Sequence, residues 1–207
     1  AVSAVGQLAS LPGLSSIKDA SRDYLAGNLS DEQFDDKFAS YGIVGLIIPL
    51  AQVAIIVLSI IWLYRVVRNH QTLGRTLRWA PGWAIAGWFV PPFVFVIPAL
   101  VLRESWNAAD PTVPPGPNAP ARKSEQPWIW IWFVVYVVIQ TVVMFAGGSP
   151  FDQFSRERDD IAKRFVDDTN ILILQSVVGV VSAVAWFMVI RTISRRHMAL
   201  TGEDRAR

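Results

Sequence analysis

The chain has 207 residues, 52% of them hydrophobic and 17% charged, against about 25% charged in an ordinary soluble domain. It has no cysteine, which excludes disulfides, thiolate metal sites and cysteine nucleophiles, and its net charge of +2 gives nucleic-acid binding no global electrostatic support. The apolar surplus lies in blocks, the distribution a bilayer demands.

Ala1 to Leu14 is apolar and rich in small residues. It is too short to cross a bilayer and reads either as the last turns of a truncated span or as a flexible tail, with no charged segment ahead of it to indicate a signal peptide. Residues 15–41 carry three basic and six acidic residues, and residues 1–41 are expected to form an outward-facing segment. Within it, Ser30-Asp31-Glu32-Gln33 has the form of a capping box, in which the first and last residues satisfy each other's backbone donors. Phe34 and Phe38 then fall on one face of a short helix.

Residues 42–190 are expected to form the membrane domain. Four stretches there hold no Asp, Glu, Lys or Arg: Gly42–Tyr64, Gly82–Leu102, Pro127–Phe151 and Thr169–Ile190. Each has about 20 residues or more, enough for a helix rising about 1.5 Å per residue to cross the hydrocarbon core. None shows the polar stripe of a soluble helix. The expected fold class is all-α, a polytopic membrane helical bundle of three to four spans. Most of the nine tryptophans lie near span ends and fit an aromatic belt, and Pro127-Trp128-Ile129-Trp130-Ile131-Trp132 opens the third span.

The second stretch is proline-broken. Trp88 is followed by Pro91, Pro92 and Pro98, and Pro92 and Pro98 remove backbone donors in mid-element. It is either a kinked crossing helix or a re-entrant hairpin. Residues 65–81 hold Arg65, Arg68, Arg75 and Arg78 with no acid and are expected in the cytoplasm, with 15–41 on the extracytoplasmic side of a bacterial plasma membrane. A re-entrant second stretch leaves 12 Lys and Arg inside and 7 outside, whereas a crossing one leaves 8 inside and 11 outside. Charge therefore favours re-entry.

Arg103, Glu104 and Trp106 read as the charged end of an element with an indole anchor, and Asp110-Pro111 as the start of a turn. Arg103 and Glu104 point about 100° apart on a helix and form no dyad. The loop 111–127, with five prolines from Pro111 to Pro120, reads as an extended, semi-rigid linker. Phe151, Phe154, Ile161 and Phe165 recur at helical intervals, so residues 151–168 are expected to form an amphipathic helix on the membrane or on a partner. Its six acids against four bases favour a protein partner over anionic lipid. In the fourth stretch Ser176, Gly179 and Ser182 recur at three-residue spacing, and Gly179 with Ala183 makes a small-xxx-small pair, an adhesive face for a helix of this chain or of another. Residues 191–207 form a basic tail, with Arg191, Arg195 and Arg196 placed as a cytoplasmic anchor near anionic lipid.

Chemistry-bearing residues are few. His70 and His197 lie in basic juxtamembrane stretches and read as solvated, not as haem or zinc ligands. Gln52, Gln140 and Gln175 are the strongest polar groups of the spans and read as helix-bonding residues. No catalytic, metal or cofactor site is expected. The expected partners are bound phospholipids and other integral membrane subunits, not nucleic acid.

The motif order Ile61-Trp62-Leu63-Tyr64-Arg65-Val66-Val67-Arg68-Asn69, Leu73-Gly74, Pro81-Gly82-Trp83-Ala84, Trp88-Phe89-Val90-Pro91 and Arg103-Glu104-Ser105-Trp106-Asn107-Ala108-Ala109-Asp110-Pro111 resembles the domain of unknown function 4328 family. These are bacterial membrane proteins common in actinobacteria. The likeness covers roughly residues 20–190, and its specific part is 61–111. The resemblance implies a helix ahead of the acidic outer segment, which favours reading Ala1–Leu14 as a truncated span. It also implies polar residues after Trp-Phe-Val-Pro. Here Phe93-Val94-Phe95-Val96-Ile97 stand instead, a departure that raises the weight of full crossing. The family supplies no established activity.

The function expected is a non-catalytic accessory subunit that packs against and stabilises a larger membrane complex. The actinobacterial cytochrome bc–oxidase respiratory supercomplex is conjectured as host, a conjecture that does not come from the residues. The alternative is a small transporter or lipid-handling protein using the proline-broken stretch. An interfacial enzyme would need Arg103, Glu104 and Asp110 in one pocket.

Overall fold

The computed structural model describes residues 2–90, 96–116, 124–139, 142 and 157–202, without the side chains of 2–12 and 41–49. The described residues form helices and no strand: α1 (Val2–Leu25), α2 (Asp31–Thr72), α3 (Trp83–Ala86), α4 (Ile97–Ala108), α5 (Pro127–Trp132) running into a π-helix (Phe133–Ile139), α6 (Arg158–Asp167) and α7 (Thr169–Thr201). They are organised as two units, residues 1–53 with 135–184 and residues 54–134 with 185–207, so α2 and α7 contribute to both.

Local signals set the helix ends. Gly27 adopts φ 76° after α1, its N–H bonds Tyr24 O at 2.9 Å, and the Asn28 N–H bonds Asp23 O at 2.8 Å. This is a Schellman end, which favours glycine because the conformation is left-handed. The capping box forms as expected: the Ser30 N–H donates to Gln33 Oε1 (3.0 Å) and the Gln33 N–H to Ser30 Oγ (3.3 Å). The helix it opens is not short. α2 continues through Gly42, Gly45 and Pro49 for 42 residues. Its far end is a second Schellman turn, with Gly74 at φ 71°, its N–H on Gln71 O (3.0 Å) and the Arg75 N–H on His70 O (2.9 Å).

In the first unit α1 packs against α6. Leu14, Ile17, Ala20 and Ser21 share the buried face of α1, and Ala162 is the buried residue of α6. Tyr24 stacks on Phe34 (4.5 Å between centroids), Phe34 on Phe38 (6.2 Å), and Phe38 meets the edge of Phe165 (6.2 Å). Arg158 forks onto Asp35 through Nε (2.9 Å) and Nη2 (2.8 Å), and reaches Asp31 through Nη1 (3.3 Å). That fork holds the Asp35 carboxyl below its usual range and pushes Arg158 further up. The amphipathic character expected of 151–168 is present in α6, but its apolar side, with Phe165, turns toward this chain's own helices. Phe151 and Phe154 lie outside the described residues.

In the second unit the C-terminal parts of α2 and α7 lie side by side and run the same way. The Trp186 indole donates to Ser59 Oγ (3.0 Å), the Trp62 indole to Ser194 Oγ (3.3 Å), and the His70 and His197 rings meet at 4.8 Å. The stretch 82–102 is not one helix: α3 and α4 pack against each other. Pro98 is the second residue of α4, where a missing N–H costs nothing, so it starts the helix and does not break one. Pro91 and Pro92 lie outside the described residues. At Gly87 a Cβ would sit 2.5 Å from Ile97 Cγ2 and 2.7 Å from the Trp83 carbonyl oxygen, so only glycine permits this approach. The Glu104 carboxylate accepts the N–H groups of Arg78 and, at 2.9 Å, Trp79. The segment therefore ends where it began. Two described stretches, Leu50–Thr72 of α2 and the whole of α7, are long and apolar enough to cross a membrane, and Pro127–Ile139 is a shorter apolar helix.

Arg158→Gln is expected to accelerate hydrogen exchange of the α6 amides several-fold and leave those of α4 and α5 unchanged. In the native chain the same loosening follows acidification. A depressed carboxyl contributes only while ionised, so the contribution is lost as pH falls below about 3.9 through the folded value. Exchange corrected for intrinsic rates measures both. Gly87→Ala is expected to destabilise the second unit by about 1–3 kcal/mol through overpacking against Ile97, read as a lower denaturation midpoint in detergent. An unchanged midpoint would contradict the close approach.

Candidate functional site

The polar residues of the second unit converge where α4, α5 and the end of α7 meet. On α7 the buried positions Val189 and Ile193 are followed by Arg196 on the same side, three residues on, which carries a guanidinium inward. Arg196 Nη2 pairs with Asp110 Oδ2 at 2.7 Å, with side chains only 17% and 7% exposed. Its guanidinium stands 4.0 Å over the Trp106 ring, and Nη1 donates to Ser124 Oγ at 3.3 Å. Ser124 also accepts the Trp106 indole N–H (2.9 Å) and donates its backbone N–H to Asn107 Oδ1 (2.8 Å). Asp110 Oδ1 accepts the Thr112 N–H (2.9 Å) and hydroxyl (2.7 Å), an Asx turn that starts the proline-rich loop.

The described part of that loop is docked, not free. Arg75 Nη2 donates to Val113 O (2.9 Å), and the Gly116 N–H to Gly74 O (3.1 Å). The semi-rigid linker expected of 111–127 is thus pinned at 111–116 to the turn after α2. Arg103 pairs with Glu125, which also accepts the Trp130 indole N–H at 2.8 Å. The Trp130 and Arg103 hydrogen bonds keep the Glu125 carboxyl below its ordinary range.

Arg103, Glu104 and Asp110 thus serve three separate ties: to Glu125, to the backbone at 78–79, and to Arg196. What these groups do chemically is fasten segments together. Among the described residues no three His, Asp or Glu side chains are grouped to hold a metal.

One expectation is corrected here. His70 is fully buried, not solvated. Leu63, Val66, Val67 and His70 share the inward face of α2 while Arg65 and Arg68 point outward, so flanking arginines are no guide to the histidine's surroundings. The His70 ring lies against the Ser105 backbone, and the buried Ser105 hydroxyl has no hydrogen-bond partner among the described residues. Four tryptophans pack on one another: Trp186 lies 4.8 Å from Trp132, 6.2 Å from Trp62 and 6.3 Å from Trp88, and Trp88 lies 6.1 Å from Trp132.

The small-residue face of α7 points into the chain. Gly179 and Ser182 are buried, and Ser176 and Ala183 half-buried. Arg196, Ser124, Arg75 and Trp132 were not singled out as site residues by the sequence. For Arg196 and Trp132 the helical continuation of a buried face was the available signal; Arg75 and Ser124 lie outside the helices and offered none.

No curated protein and no solved structure matches the chain. A family model does, over residues 26–195, a range that takes in α2, the folded-back segment, the proline-rich loop and most of α7. The chain belongs to that family, DUF4328, a domain of unknown function.

Proposed function

We propose that the chain is an integral protein of a bacterial plasma membrane that carries out no chemistry of its own and packs as an accessory subunit against a larger membrane complex. One observation carries the reading. In the most apolar windows of α2 and α7 only 22% and 33% of residues are buried, whereas the core helix of a soluble protein would be mostly covered. Leu50, Val53, Val57 and Ile61 on α2, and Ile173, Val177, Val181 and Val184 on α7, are all exposed and recur at three- to four-residue spacing. Such faces require lipid or another apolar helix around them. The small-residue face is used internally, so a partner would meet these outer faces.

The topology proposed has residues 15–41 outside, 65–81 inside, and 82–102 re-entrant from the inner side. Its supports are the Glu104 tie between the two ends of that segment and the 12 Lys and Arg it leaves inside against 7 outside. A respiratory supercomplex is the host to test first. A second reading, a small transporter or lipid-handling protein built on 82–102, is favoured by the buried, unpartnered Trp88 indole nitrogen within that segment. It requires that Pro91 or Pro92 substitutions abolish transport while assembly is retained.

Capture of the tagged chain from gently solubilised native membranes, followed by quantitative mass spectrometry, is expected to recover one large membrane assembly in fixed stoichiometry. Val181→Trp on the exposed face of α7 is expected to lower that co-recovery several-fold without changing the amount of the chain itself. Recovery of the chain alone would sink the accessory reading and favour the carrier.

A further inference from the structure

The acids described in the second unit are consumed within it, and most of its arginines are not. Glu104 receives two backbone N–H groups, Asp110 holds Arg196, and Glu125 holds Arg103. Arg65 and Arg68 near the end of α2, Arg78 in the turn after it, and Arg191 and Arg195 near the end of α7 are exposed and make no ion pair among the described residues.

Arg65, Arg68 and Arg195 lie between the same pair of interhelical contacts, and Arg191 stands about one turn before them on α7. On α2 the contacts of Trp62 with Ser194 and of His70 with His197 bracket Arg65 and Arg68. On α7 the contacts of Trp186 with Ser59 and of His197 with His70 bracket Arg191 and Arg195. Leu63, Val66, Val67, Val189 and Ile193 occupy the buried sides of the same turns, which turns all four guanidinium groups outward. Immediately before them in each helix stands exposed hydrocarbon, Ile61 at 44% and Phe187 at 50% exposure.

A free guanidinium fork matches the oxygens of a phosphate, and an anion seated beside exposed apolar side chains must itself carry hydrocarbon. Arg196, the neighbouring base by sequence, is excluded because it is turned inward onto Asp110. We propose that Arg65, Arg68, Arg191 and Arg195 form a binding surface for the phosphate headgroups of anionic phospholipids. The proposal rests on the membrane embedding argued above.

The test reconstitutes the full chain in phosphatidylcholine bilayers and compares spin-labelled phosphatidylglycerol with spin-labelled phosphatidylcholine for the motionally restricted shell around the protein. The native chain should prefer phosphatidylglycerol, and added salt should weaken the preference. The combined variant Arg65→Gln, Arg68→Gln, Arg191→Gln, Arg195→Gln should lower it at least about fivefold, the factor that one juxtamembrane base near the surface is worth. Lysine at the same four positions, which keeps the charge but loses the fork, should lower it less than glutamine does, and where the fourfold glutamine variant fails to fold the single substitutions Arg65→Gln and Arg191→Gln, each expected to lower it, decide the matter. Arg158→Gln should leave it unchanged. Equal selectivity in native and substituted chains would overturn the proposal. So would loss of selectivity to millimolar inorganic phosphate at constant ionic strength, which would assign the surface to a soluble anion. Release of the chain from native membranes by alkaline carbonate would instead overturn the embedding, so the two failures are distinguishable.

Discussion

The packing of the second unit depends on getting one guanidinium out of water. Arg196 reaches Asp110, Trp106 and Ser124 together, and through them it joins the end of α7 to the end of α4 and the start of α5. A buried ion pair is not in itself a large source of stability, because two desolvation penalties offset most of the attraction. Removing one partner is another matter: a lone buried charge costs about 3–5 kcal/mol. The pair therefore acts as a condition on the fold. With α7 in its place, Asp110 must be where it is, and the Asx turn that Asp110 makes with Thr112 then sets the direction of the proline-rich loop.

The same economy appears in the indoles. Trp62, Trp106 and Trp186 each donate to a serine hydroxyl, and Trp130 to Glu125. An indole N–H is a single donor with no acceptor function, so one small hydroxyl on a neighbouring segment satisfies it and fixes the ring's orientation. In an apolar environment the alternative is an orphaned donor, whose cost makes the arrangement specific. Ser59 and Ser194 supply these acceptors along α2 and α7, which sets the register of two helices whose apolar residues alone would slide. The buried imidazole of His70 against His197 marks the end of the same seam.

The residues announced much of the local structure. Ser30 and Gln33 signalled a helix start that forms, and two of the four charge-free stretches fall within the long apolar helices, which extend beyond them: α2 runs from Asp31 to Thr72 and α7 on to Thr201. Faces within those helices were harder to read. A helix apolar all round has no polar stripe to show which side is covered, so the inward positions of Gly179 and Ser182 could be listed but not assigned to this chain or another. Long-range ties were not legible, because Arg196 finds Asp110 across 86 positions of sequence, and helical spacing says nothing about the neighbour. His70 was misread for a related reason. Its chain neighbours are polar, but the face it shares with Leu63 and Val67 is not. The tryptophans show that an indole near a span end serves a packed cluster as readily as a headgroup layer.

The parallel course of α2 and α7 bears on topology independently of charge. If both cross the bilayer in the same direction, the chain between Thr72 and Thr169 must return across it an odd number of times. Only two apolar stretches of sufficient length lie between them, 82–102 and 127–151. One must cross and the other must not. The Glu104 carboxylate sits on the N–H groups of Arg78 and Trp79, so the two ends of 82–102 are within one hydrogen bond of each other and cannot lie about 30 Å apart on opposite sides. In the topology proposed above, the stretch beginning at Pro127 is the one that returns. The proposed arrangement also places the larger share of Lys and Arg inside, so a parity requirement on the chain and an electrostatic bias on its loops both support it.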